Sequence, residues 1–138
     1  MASRDTGTGG ILEQMILPAL RRGGYSVSTH EKIGQRLGFG SHIIDVIAER
    51  AGVRILVSLK WQQVSGTAEQ KVPFEVICLA DALAGGAFGK AYLVLGGEGW
   101  KLRTFYTSGG LRKYLRDADK VEVVTLESFV AKANNGGL

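Results

Sequence analysis

With 138 residues and 45% apolar content, the chain has material for one hydrophobic core and little to spare for a second. Its single cysteine excludes an intramolecular disulfide, and one cysteine with two histidines falls short of a structural zinc set. A net charge of +4 permits a polyanionic partner without requiring one. No apolar run is long enough to span a bilayer and no cationic start leads into an apolar signal core, so a cytoplasmic setting is the expectation.

Residues 1–10 are rich in Gly, Ser and Thr and are expected to be flexible. A single domain is expected over 11–133, followed by a second flexible stretch at 134–138. Ile11, Leu12, Met15, Ile16, Ala19 and Leu20 recur at helical spacing and predict a helix over 11–22, with Pro18 as a kink point and Gly23-Gly24 as its stop. Residues 25–33 have strand-like β-branched content. Gly34, Gly38 and Gly40 mark a long or bulged hairpin connection that carries Lys32, Arg36 and His42. Two apolar runs follow, 42–48 and 53–61, both of strand length. A helix is expected over 67–83, capped by Ser65 or Thr67 and kinked or broken at Pro73. Then come a strand at 90–96, a helix at 108–117, a strand at 121–125 and a helix at 126–133. Three consecutive strands make an antiparallel meander, and the helix after them carries the chain to a strand parallel to its neighbour. The fold class is therefore α/β, with a mixed central β-sheet flanked by helices.

Within this frame Asp45 stands out. It lies between Ile44 and Val46, so it must either face water or find a partner that offsets its burial. On the next strand Ser58, Lys60 and Gln62 alternate onto one face. A carboxylate beside a lysine suits phosphodiester hydrolysis: the carboxylate binds a hard divalent cation, and the lysine stabilises charge or orients the attacking water. The plainer alternatives are an exposed hairpin acid and a strand-end lysine that snorkels to solvent. Further on, Trp100, Lys101, Arg103, Phe105 and Tyr106 mix bases with aromatics, as a nucleic-acid backbone prefers, although a solvated helix face accounts equally for Arg112 and Arg116 beyond them. The glycine clusters at 34–40 and 96–99 match no nucleotide-binding fingerprint, so no nucleotide cofactor is expected.

The order Asp45, then Ser58-Leu59-Lys60, resembles the PD-(D/E)xK nuclease superfamily, whose core is shared by restriction endonucleases and Holliday junction resolvases. Ser58 stands where the second acid of that pattern belongs. Some members with Ser-x-Lys take the missing carboxylate from the following helix, and the segment from Ser65 to Val76 resembles theirs. Glu75, fifteen residues past Lys60, is the first choice for that migrated acid and Glu69 the second. The resemblance implies a restriction-endonuclease-like sandwich and a metal-dependent DNA endonuclease, with Asp45, Ser58, Lys60, Gln62 and Glu75 in the catalytic set. It places Mg²⁺ or Mn²⁺ on Asp45, the Leu59 carbonyl, and Glu75 or Glu69, with Glu13 of the first helix as a further approach. DNA contacts are expected from Lys32, Arg36, His42, Lys71, Lys101 and Arg103, and a homodimer is the natural way for so small a core to cut two strands. The competing reading is a catalytically degenerate nuclease fold kept for nucleic-acid binding or dimerisation, or a plain dimerising α/β domain.

Overall fold

The computed structural model describes residues 8–138. The expectation of a flexible start therefore lies outside the described residues for 1–7, while Thr8, Gly9 and Gly10 are already helical. Helix α1 runs over residues 8–22 in three parts: an α-helical turn Thr8–Ile11, a π-helical segment Leu12–Ile16, and an α-helical end Leu17–Arg22. The widened turn sits directly before Pro18. Proline has no N–H to return to the preceding turn, and a π-bulge is one way for a helix to absorb that loss.

Strands β1 (Ser26–Arg36), β2 (Phe39–Arg50) and β3 (Val53–Trp61) form the antiparallel meander. Both hairpins close through two-residue turns, Leu37-Gly38 and Ala51-Gly52, whose residues all have positive φ. That is the turn geometry whose twist matches paired strands. The first two strands thus extend well past the expected 25–33 and 42–48. The glycines do not interrupt the hairpin but shift its register, between Lys32 and Gly34 and between Gln35 and Arg36. Helix α2 (Ala68–Ala84) crosses to strand β4 (Lys90–Gly96), which lies parallel to β3, and β5 (Val121–Thr125) lies parallel to β4. The sheet order is β1-β2-β3-β4-β5.

Two cores flank the sheet. Helix α1 and the closing helix α4 (Leu126–Asn134) pack on one face around Ile16, Leu20, Val57, Tyr92 and Phe129. Helix α2 packs on the other around Leu56, Val72, Val76, Leu79 and Leu93. The helix expected over 108–117 is absent. In its place stand a short helix α3 (Arg103–Thr107) and 3-10 turns at Gly110–Lys113 and Ala118–Lys120. Gly109 and Asp117 are both in the left-handed region, which a continuing right-handed helix cannot accommodate. The final residues do not trail off. Leu138 is buried, its N–H donates to the Tyr25 hydroxyl at 3.0 Å, and Lys90 Nζ donates to its carbonyl at 2.9 Å.

Pro73 leaves α2 unbroken. Its missing N–H frees the carbonyl of Glu69, four residues earlier, and the Tyr106 hydroxyl donates to that carbonyl at 3.0 Å. The glycines after β4 serve close approach. A Cβ on Gly97 would sit 2.4 Å from the Gln62 carbonyl oxygen, and one on Gly99 would sit 2.5 Å from the Val64 backbone.

Candidate active site

The site is built where β2 parts from β3. Their ladder runs from Arg50↔Val53 to Val46↔Val57 and stops there, one residue short of Asp45. Beyond that point the Leu59 N–H donates to Asp45 Oδ2 at 2.7 Å. A side-chain carboxylate thus takes over the acceptor role that a neighbouring strand would otherwise supply, and this fixes Asp45 at the mouth of the gap. Leu59 thus meets Asp45 through its amide N–H. Across the other edge of β2, the register of Thr29↔Val46 and Glu31↔Ile44 puts His30 opposite Asp45, and His30 has φ +55°.

Strand alternation on β3 sends Ile55, Val57 and Leu59 into the α1 side, and Leu56, Ser58 and Lys60 toward α2. There they meet Glu75. The Ser58 hydroxyl donates to Glu75 Oε2 at 2.9 Å, Arg36 NH1 donates to Oε1 at 2.7 Å, and Lys60 Nζ stands 4.0 Å from Oε1. His42 Nε2 lies 3.7 Å from Oε2, too far for a hydrogen bond, and is the one buried side-chain polar atom without a partner among the described residues. Arg36, Asp45, Ser58, Lys60 and Lys71 line a common open cleft.

The two carboxylates are held differently. Burial pushes the Asp45 carboxyl above its ordinary value, against the pull of the Leu59 N–H and Lys60, and the negative charge of Glu75 adds to the rise. Burial acts on Glu75 in the same sense, but His42, Lys60, Arg36 and Ser58 together outweigh it and hold Glu75 at about 2. Glu75 is therefore a fixed anion in a cationic collar, and Asp45 is the more easily protonated neighbour. Cys78, on the next turn of α2, is buried; burial pushes its thiol up, which makes it a poor nucleophile.

Several expected site residues are placed elsewhere. Glu69 is buried, but its Oε2 accepts the Leu102 N–H at 2.6 Å, which ties the start of α2 to the start of α3. Gln62 is equally committed: Nε2 donates to the Gly99 carbonyl at 2.9 Å and Oε1 accepts the Ala68 N–H at 3.1 Å, so both ends of its amide are spent on backbone. His42 is enclosed rather than available to DNA. Lys32 and Lys71 are exposed, whereas Arg36 is turned inward to Glu75. Lys101 and Arg103 line two other grooves, of which the one holding Arg103 shares Trp61 with the Asp45 cleft. Glu13 is exposed and lines a separate groove with Thr29 and His30. The pairing of Arg36 with Glu75 and the left-handed His30 carry no local sequence signal: one contact spans 39 residues, and the other depends on strand register.

Comparison with known proteins bears on the fold and on the family. No curated protein sequence matches the chain. Among solved structures, the crystal structure of a protein of unknown function, AF1548, superposes with a TM-score of 0.51 at 12% identity, over 80% of this chain. The chain spans 54% of that protein's length, and at this identity the likeness speaks to the fold alone. The mixed five-stranded sheet with helices on both faces is consistent with a restriction-endonuclease-like fold. A sequence model of the PD-(D/E)XK nuclease superfamily domain matches residues 4–137, nearly the whole chain, and it is to this superfamily that the chain belongs.

Proposed function

We propose that the chain is a metal-dependent DNA endonuclease whose second acid has moved from β3 to α2. The observation that carries this reading is the placement of Glu75. Where the Ser-x-Lys strand lacks a carboxylate, the helix supplies one, bonded to Ser58 and 4.0 Å from Lys60. The donor set suits a small hard cation. Mg²⁺ takes one or two carboxylates and keeps several waters, and Glu75 is close enough to Asp45 for its charge to raise the Asp45 carboxyl. No cluster of three His, Cys, Asp or Glu that could hold a metal exists among the described residues, so an ion here would have to be completed by water and substrate phosphate. Asp45 and Glu75 would hold Mg²⁺ or Mn²⁺, which when bound supplies charge neutralisation at the phosphate and a more acidic water.

The remaining residues have definable work. Lys60, beside both carboxylates, is positioned to stabilise negative charge developing on the phosphate. Ser58 fixes the Glu75 carboxylate by its hydrogen bond. Arg36 bonds Glu75 without substrate; a phosphate offers the guanidinium a second anion and frees Glu75 to take up an ion. Lys71 and Lys32, both exposed, supply backbone contacts to DNA. A homodimer would cut both strands of a duplex, one per active site.

The test is cleavage of duplex, junction and mismatched DNA with Mg²⁺, Mn²⁺ or chelator, comparing the wild-type chain with Asp45→Asn. Cutting that requires metal and Asp45 supports the reading; metal-independent cutting, or none with any substrate, ends it. One observation favours a second reading, a binding module that has lost catalysis: Arg36, 2.7 Å from Glu75, is a cation already seated on the migrated acid. Calorimetric titration with Mn²⁺ separates the two. A catalytic site binds the ion and loses it in Glu75→Gln, whereas a degenerate site shows no uptake in either.

A further inference from the structure

The tip of the β1–β2 hairpin is apolar, exposed and conformationally costly. Phe39 is 87% exposed, Leu37 50% and Ile43 46%, where a surface strand ordinarily shows polar side chains. Leu37 also occupies the first central position of the two-residue turn with φ +53°. That position calls for Asn, Asp or Gly, and a branched side chain there is strained. Ala51 takes the same position in the second hairpin with φ +53°, so what sets this tip apart is that its strained residue is a large apolar side chain held in solvent. Around the tip the ribbon is bare. A Cβ added at Gly34, Gly38 or Gly40 would meet nothing, so the hairpin is a narrow blade with two large apolar side chains at its end.

The surroundings indicate what the blade meets. Arg36 adjoins Leu37 and reaches Glu75 in the active site, so the tip is continuous with the catalytic cleft. Lys32 on the same ribbon and Lys71 on the cleft wall are exposed cations, and the ribbon's acids are Glu31 beside Lys32, Asp45 in the cleft and Glu49 at its far end. From Phe39 to Asp45 is six residues, no more than about 20 Å along the strand. At roughly 3.4 Å per base step this is within about six steps of the scissile phosphate. A two-stranded ribbon is slim enough to enter a groove about 12 Å wide, and apolar wedges that enter DNA unstack a base step.

We infer that Leu37 and Phe39 form a wedge that inserts at a base step of duplex DNA beside the cleavage site, so that the preferred substrate is DNA that is easily unstacked there: a mismatch, a bulge or a flexible pyrimidine–purine step. This rests on the endonuclease reading and names the substrate class for it. Insertion would also open the duplex near Arg36, where its phosphate can draw the guanidinium from Glu75.

The experiment uses the full chain carrying Asp45→Asn, to prevent cutting, with Mg²⁺ and duplex oligonucleotides bearing 2-aminopurine at successive positions around a mismatch. Fluorescence anisotropy reports binding and 2-aminopurine emission reports unstacking. Emission is expected to rise several-fold at one step on binding, and the rise to disappear when Leu37→Asn and Phe39→Ser are added, while anisotropy still shows a complex. Asparagine suits the left-handed turn, so the hairpin should persist, and circular dichroism checks that it does. Binding without any rise in emission, or a rise that survives the double change, overturns the wedge and leaves the nuclease reading intact. So does a dimer in sedimentation that becomes monomeric on the double change with emission unaltered, since the tip would then be a contact between copies. Failure to bind any duplex overturns the wedge, while the nuclease reading stands or falls separately, on whether the unsubstituted chain cuts any of the DNA structures with metal.

Discussion

Helix α2 buries two glutamates six residues apart, and they have opposite fates. Glu69 accepts one backbone N–H, from Leu102, and its own carbonyl accepts the Tyr106 hydroxyl. Everything it touches is structural, and it joins two helices. Glu75 is met by side chains instead: Ser58, Arg36, Lys60 and, at longer range, His42. Burial alone therefore does not mark a site. A carboxylate whose partners are backbone amides is a joint, whereas one met by cationic side chains has partners that are not committed to the backbone ladder.

The largest expected effect tests Glu75 directly. Glu75→Gln should lower metal-dependent cleavage about as much as Asp45→Asn, on the order of 10²–10³-fold or more in kcat, because each removes charge from the proposed ion site. Glu69→Gln should leave kcat per folded molecule unchanged. Rates measured with active-site titration check the contrast, and equal losses from the two glutamates would dissolve it.

Lys60→Ala comes next, with a loss of about 10²-fold in rate and a smaller change in DNA affinity, since a lysine acting on the transition state changes rate rather than binding. Single-turnover cleavage and anisotropy at several salt concentrations separate these. Equal losses, with a shallower salt dependence, would make Lys60 a phosphate tether.

Acid stability should report on Glu75 as well. Glu75 is held at about 2 against an ordinary value of 4.5, so its folded form binds protons less readily than its unfolded form. Its contribution is complete above about pH 5, declines as pH falls through 4.5 and is lost near 2. Asp45 is shifted upward and contributes with the opposite sign, favouring the folded state as pH falls, which partly offsets the loss. Urea unfolding from pH 6 to pH 2 should show a steep acid decline in wild type that flattens in Glu75→Gln.

The smallest effects concern the joint. Glu69→Gln leaves the Leu102 N–H with a neutral acceptor and should cost about 1–2 kcal/mol in unfolding free energy. Tyr106→Phe abandons the carbonyl that Pro73 has already freed from the helix ladder, and should cost about 1–3 kcal/mol. Urea melts at neutral pH measure both, and cleavage rates should not move with either.

Much of the architecture was legible. The apolar runs around Asp45 and before Lys60, the helix between two strands and the α/β order all follow from periodicity, because strand and helix spacing are local properties. The breaks were less visible. Gly109 and Asp117 are residue types that tolerate the left-handed region, but composition does not say that both adopt it, and the hairpin ran on through Gly34 and Gly40 because its partner strand, rather than propensity, held it. The last residues looked loose in composition, yet they find Tyr25 and Lys90, contacts 113 and 48 residues away.

Within the site, the division has a geometric cause. Six residues along a helix of 3.6 residues per turn leave Glu69 and Glu75 about 120° apart, so spacing alone required that only one of them face the Ser58–Lys60 strand. Which one depended on how α2 is rotated against the sheet, and that is set by Val72, Val76 and Leu79 packing on Leu56 and Leu93. The alternation of Ser58 with Lys60 was written in the chain. That Arg36 would close on Glu75, that Gln62 would be spent on backbone, and that Asp45 would sit where two strands separate belonged to the tertiary structure. Each is a pairing between segments far apart in sequence, and only the packed sheet brings them together.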